Sequence, residues 1–197
     1  MGMYIKGGLK KMSKAMTKAA RINLEKAQKQ EKEKQTMEKQ EKQNIPVYDN
    51  YQKQESMSIK EKIGTWNHNF SQLDEQAKFF YLLEQGKGIV QLDETKRITG
   101  YRVYGCVSQV WVLPSLKDEK MFFEMDADSH EARGVVYILQ SLFSGHKPSE
   151  ILEITDQEII DIGFFETLIS KRRDGTFAVV NAIRSYSRDM LEMLSEQ

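Results

Sequence analysis

Residues 101–113 read Tyr101-Arg102-Val103-Tyr104-Gly105-Cys106-Val107-Ser108-Gln109-Val110-Trp111-Val112-Leu113, and the fold turns on how this stretch divides. Tyr101–Tyr104 and Val107–Leu113 are rich in β-branched and aromatic residues, which suit a pleated, half-buried surface. Gly105-Cys106 lies between them, and glycine reaches positive φ without steric cost, so a turn there joins two strands. Met121–Asp126 is a third β-rich run, with Pro114 to Lys120 as the hairpin loop before it. Ile89–Leu92 is a fourth and the weakest.

Helical signals flank this meander. Ser71 caps a predicted helix from about Leu73 to Gln85, with Leu73, Ala77, Phe80, Tyr81 and Glu84 at helical spacing and Gly86 at its end. Asp128-Ser129-His130-Glu131 resembles a capping box before a helix carrying Val135, Ile138, Leu139, Leu142 and Phe143, closed by Gly145. Thr155-Asp156-Gln157-Glu158 opens a short helix ending near Gly163. The last helix is expected from about Gly175 to Leu194, with Phe177, Val180, Ile183, Met190, Leu191 and Leu194 inward. A helix, a strand meander and then helices predict an α+β domain over 59–197, its small antiparallel sheet packed on one side by helices.

The rest of the chain has another composition. Lys+Arg and Asp+Glu number 29 each among 197 residues. Residues 1–58 hold 13 basic and 7 acidic side chains, leaving 16 and 22 for the rest. Glu25 to Gln43 is almost wholly Glu, Lys and Gln, which cannot bury enough apolar surface to offset ordering entropy. A charged, partly helical extension and linker is therefore expected over 1–58. Its first 24 residues carry no acid, and fit a transit peptide, a basic arm or an unselected tail. Lys6 breaks the myristoylation pattern. No apolar run approaches a membrane span, and the balance of charge argues against a uniformly basic nucleic-acid binder, which leaves nucleic acid only as a partner of the basic arm.

A single cysteine excludes an internal disulfide, a CxxC pair and a multi-cysteine metal site within one chain, and suits a reducing compartment. Cys106 itself has two readings. One is a buried core thiol, the commonest fate of a free cysteine; the other is a thiol presented on the Gly105 turn. Ser108 and Gln109 place a hydroxyl and an amide within reach of the sulfur or of a nearby carbonyl. Arg172-Arg173-Asp174-Gly175 reads as a basic turn before the last helix, either solvated or able to steady a thiolate. Asp126-Ala127-Asp128 reads as a strand end and helix cap. His68, His130 and His146 have no metal-ligand spacing and read as surface or cap-region side chains.

Gly105-Cys106-Val107-Ser108-Gln109-Val110-Trp111 resembles the G-C-x-S-Q-V-W motif of the SufE family. Asp126-Ala127-Asp128-Ser129, the segment Leu142 to Ile151, and Leu168 through Gly175 resemble further family elements in the same order. The resemblance implies a SufE/IscU-like fold and a sulfur acceptor of iron–sulfur cluster assembly. Cys106 would take sulfane sulfur from the persulfide of a PLP-dependent cysteine desulfurase of the SufS or CsdA type and pass it to a scaffold such as SufBCD. Arg172 matches the family arginine that would steady the thiolate or dock the partner. Gly105, Ser108 and Gln109 support the motif. No cofactor or metal is expected on this chain, since the PLP belongs to the desulfurase. The U-type cluster scaffolds, similar in fold, use several cysteine ligands, whereas this chain has one. Two other readings stand: a non-covalent adaptor that regulates a desulfurase, and a thiol enzyme, which would need an oriented base or a second thiol. The expected compartment is the cytoplasm, or an organelle if residues 1–24 act as a transit peptide.

Overall fold

The computed structural model describes residues 57–195. Apart from Met57 and Ser58, the expected charged extension lies outside them. Helix α1 spans Ile59–Ser71, where no element is expected. Its signals are nevertheless local. Ser58 accepts the Glu61 N–H while the Glu61 carboxylate accepts the Ser58 N–H at 2.8 Å, a reciprocal capping box. Ile59, Ile63, Trp66 and Phe70 then recur at helical spacing and are buried.

Helix α2, Glu75–Gln85, starts later than expected. Its cap is Asp74, whose Oδ1 accepts the Ala77 N–H at 2.8 Å, and not Ser71. Its inward face is also rotated: Tyr81 and Leu82 are buried, while Phe80 is exposed. The face is set by a close crossing with α3, which spans His130–Phe143. A Cβ on Gly134 would meet the Leu82 carbonyl at 2.2 Å, so the two backbones approach as only glycine permits.

Among the described residues the sheet has three antiparallel strands in the order β1 (Arg102–Val103), β2 (Val110–Lys117), β3 (Lys120–Ala127). Ile89–Leu92 forms no strand. The hairpin between β2 and β3 is tighter than expected: Asp118 and Glu119, at φ 51° and 59°, form a two-residue turn between Lys117 and Lys120. Pro114 therefore lies inside β2, opposite Phe123. Counting alternate pairs back from the hairpin makes this a non-hydrogen-bonded pair, so the missing N–H faces away from β3. β1 pairs only with Val110 and Trp111, so no ladder bond is lost there.

Helix α3 packs on β3, and α6, Ser170–Ser195, packs on β2. The short helices α4 (Pro148–Leu152) and α5 (Asp156–Ile160) connect them, α5 with the expected Thr155–Glu158 box. The outer edge of β3 is covered. Met121 N–H donates to the His146 carbonyl, Phe123 N–H to Ser144 Oγ and Met125 N–H to Gln140 Oε1, all within 2.8–3.1 Å. An edge so occupied offers no template for another chain.

Three further expectations are corrected. Ser129 caps α3, with Oγ accepting the Ala132 N–H at 3.3 Å, and no box forms through Glu131. Helix α6 begins at Ser170, so Arg172 to Gly175 is helix and not turn; Leu191 on it is exposed. His146 is buried, because its segment pairs with the edge of β3.

Among the described residues no helix is long and apolar enough to cross a membrane.

Candidate functional site

Gly105 takes φ +91° and turns the chain from β1 toward β2. An L side chain would be strained there. The turn sets Cys106 against α6, half-buried. Its Sγ donates to the Gly175 carbonyl oxygen at 3.3 Å. A Cβ on Gly175 would lie 3.2 Å from Cys106 Cα, which is why a glycine stands in the first turns of a long helix. Read from the sequence alone, the same glycine marks a helix start.

Beside the thiol lies a cavity of about 30 Å³. Its apolar wall includes Val110, Val135, Val136 and Val179, and its polar rim Ser108, Glu131 and Arg172. A water needs at least about 10–15 Å³ of such space, so the cavity takes one or two small atoms. Burial pushes the Cys106 thiol pKa up.

The motif side chains are arranged differently from expectation. Neither Ser108 nor Gln109 is the partner of the sulfur. Ser108 Oγ shares a 2.7 Å hydrogen bond with Ser129 Oγ, tying the Cys106 loop to the cap of α3. Gln109 is exposed, and its backbone pairs with Asp128 in both directions: its N–H donates to Asp128 Oδ1 and its carbonyl accepts the Asp128 N–H, each at 3.1 Å. Arg172 reaches the same cavity as Cys106 but is held elsewhere. Its Nε pairs with Glu131 Oε2 at 2.9 Å and its Nη1 donates to Ser108 Oγ at 3.4 Å.

Glu131, Gly175 and Asp128 are the site residues that sequence reasoning assigned to other work. Glu131 carries the signature of a cap partner, and only the packing of α3 beside α6 turns it toward Arg172. Asp126, read as a strand end, is fully buried and anchors the loop before β1. It accepts from Leu92 N–H at 3.0 Å, Arg97 Nη2 at 2.6 Å and Arg133 Nε at 3.1 Å. Arg97 also stacks over Trp111, the cross-strand partner of Asp126.

Residues 65–187 match the family SufE, described as the Fe-S metabolism associated domain. The chain is 34% identical over 129 residues to an uncharacterized SufE-like protein of Rhizobium meliloti, covering 62% of this chain and 92% of that one. It is 34% identical over 101 residues to SufE-like protein 1, chloroplastic/mitochondrial, of Arabidopsis thaliana, covering 51% of this chain and 27% of that one. A solved structure of a hypothetical protein from Thermus thermophilus shares the fold, with a TM-score of 0.57 and 17% identity, covering 66% of this chain and 96% of that one. The family match takes in more than half of the sequence, including the whole Cys106 loop and Arg172, and the chain belongs to the SufE family, whose domain is associated with Fe–S metabolism.

Proposed function

We propose that this protein is a sulfur carrier in iron–sulfur cluster assembly, with Cys106 as the residue that bears the sulfur. One observation carries the reading: the chain's only thiol sits on a positive-φ turn, half-buried over a cavity that takes a sulfur-sized atom. The donor is the persulfide of a PLP-dependent cysteine desulfurase, and the acceptor is a cluster scaffold; the PLP stays on the desulfurase. In the first step Cys106, as thiolate, attacks the terminal sulfur of the donor persulfide. The new Cys106 S–S bond forms as the donor's S–S bond breaks. The donor cysteine leaves as thiolate, and the proton lost by Cys106 is recovered there through solvent. No oxidant is consumed, since a persulfide and a thiol exchange roles.

The raised thiol pKa and the bond to Gly175 suit a resting state. A persulfide on Cys106 would lie against the valine wall, shielded from oxidants and reductants. Transfer then requires the turn to swing outward. Tyr104 and Val107, which flank Cys106, and Ile169, near Arg172, are each more than half exposed, and offer an apolar rim for docking. Hydrogen exchange of Tyr104–Ser108 should rise when a desulfurase docks.

The competing reading is an adaptor that stimulates a desulfurase without carrying sulfur. Turnover of a desulfurase with and without this protein separates the two. Cys106→Ser abolishes the stimulation if Cys106 is the carrier, and leaves it intact if the protein is an adaptor.

A further inference from the structure

Among the described residues, Arg172 is the only cationic side chain lining the Cys106 cavity, and Glu131 the only acidic one. The two are paired with each other at 2.9 Å, both largely buried, with side chains 24% and 18% exposed. A second contact, Arg172 Nη1 to Ser108 Oγ, holds the guanidinium on the loop's hydroxyl. The sulfur, meanwhile, is satisfied by the Gly175 carbonyl, which accepts from a protonated thiol and has nothing to offer a thiolate. The one positive charge that would favour the thiolate is thus present, and a carboxylate occupies it.

We propose that Glu131 is a positioning residue that holds Arg172 in check. It keeps the guanidinium on a carboxylate instead of on sulfur, so Cys106 remains a neutral, slowly reacting thiol until a docked partner takes over one member of the pair. The free protein is then protected against adventitious alkylation and oxidation, and the thiolate is drawn out only in the complex. The inference deepens the carrier reading and rests on it for its purpose, but the ion pair's effect on the thiol is measurable without any partner.

The test is the pH–rate profile of Cys106 alkylation by iodoacetamide on the full chain, where the single cysteine makes the reaction site-specific. Glu131→Gln keeps the side chain's shape and removes its charge. A guanidinium released on the wall of the same cavity, free to turn toward the sulfur, should lower the midpoint by about one unit. That gives about tenfold more thiolate near neutrality, and about threefold faster alkylation once the lower nucleophilicity of a weaker base is allowed for. Glu131→Asp, which keeps the charge, should stay near the parent profile. In an Arg172→Gln background Glu131→Gln should have much less effect. An unchanged profile in Glu131→Gln would overturn the proposal. An equal shift with and without Arg172 would overturn it too, since the carboxylate would then act on the thiol directly. Failure of sulfur loading from a desulfurase, with the alkylation pattern as expected, would count against the carrier reading alone.

Discussion

The Gly175 carbonyl oxygen accepts the Cys106 thiol at 3.3 Å, and a Cβ on Gly175 would lie 3.5 Å from that sulfur. The thiol thus rests directly on the helix backbone, and Gly175 has no side chain to hold it off. Gly175→Ala crowds Cys106 Cα, which must give by a few tenths of an ångström. Alanine's better helix propensity is worth about 1 kcal/mol, and the crowding works against it. Stability should therefore change by less than about 1 kcal/mol, while alkylation of Cys106 speeds up severalfold as its contact with the carbonyl loosens. Iodoacetamide kinetics beside urea unfolding check both halves. Unchanged alkylation would mean the contact does not restrain the thiol.

Two other helical glycines should respond in opposite directions. Nothing lies within 4 Å of a Cβ on Gly64, in mid-helix on α1, so Gly64→Ala should stabilise by about 0.5–1 kcal/mol through backbone entropy. A Cβ on Gly134 would meet the Leu82 carbonyl oxygen at 2.2 Å, so Gly134→Ala must push α2 and α3 apart. It should cost about 1–3 kcal/mol, the range of overpacked cores. Urea midpoints that move the same way for both would contradict this account of the crossing.

Asp126 joins the loop before β1 to the sheet. Burial works to raise its pKa, but the bonds from Arg97 and from the Leu92 and Ala127 N–H groups, with the charge of Arg133, hold it below the ordinary carboxylate value. Its stabilising contribution is thus present above the ordinary carboxylate pKa and is lost as pH falls through the lowered one. Asp126→Asn leaves two partly buried arginines without their shared anion and should cost about 3 kcal/mol. Hydrogen exchange at Leu92 should rise with it. A loss below 1 kcal/mol, on the order of a surface ion pair, would mean the arginines find solvent easily.

His146 gives a separate pH signature. Its pKa is lowered from 6.5 to about 4, chiefly by burial and then by the Lys62 charge; Glu150 opposes and Lys120 adds a little. Among the described residues its Nε2 has no hydrogen-bond partner. The unfolded chain binds a proton that the folded one refuses. This contribution is fully present above pH 6.5 and is lost as pH falls from 6.5 to about 4. The loss amounts to about 3 kcal/mol over that window. His146→Gln should remove that slope from the pH dependence of urea stability. A variant with the parent's slope would place the effect elsewhere.

The sequence carried more of the fold than of the site. β2 and β3 were legible because their β-rich runs persist, and α3 because Ser129 precedes a clean apolar stripe. The boundaries that failed were settled by distant neighbours. Pro114 looks like a loop until β1 proves too short to pair with that edge. Gly175 looks like a helix start until Cys106 is seen to need its missing Cβ. Cys106 and the Gly105 turn could be read locally, since a glycine ahead of a lone thiol is a one-dimensional signal. The Glu131–Arg172 pair could not, because it joins residues on two helices that only the packed sheet brings together.

Whether Cys106 carries sulfur shows in the intact mass of the protein after incubation with a cysteine desulfurase and L-cysteine. A carrier gains about 32 Da, which a thiol reductant removes and which Cys106→Ser does not acquire. An unchanged mass, with desulfurase turnover still stimulated by both the parent chain and Cys106→Ser, would contradict it.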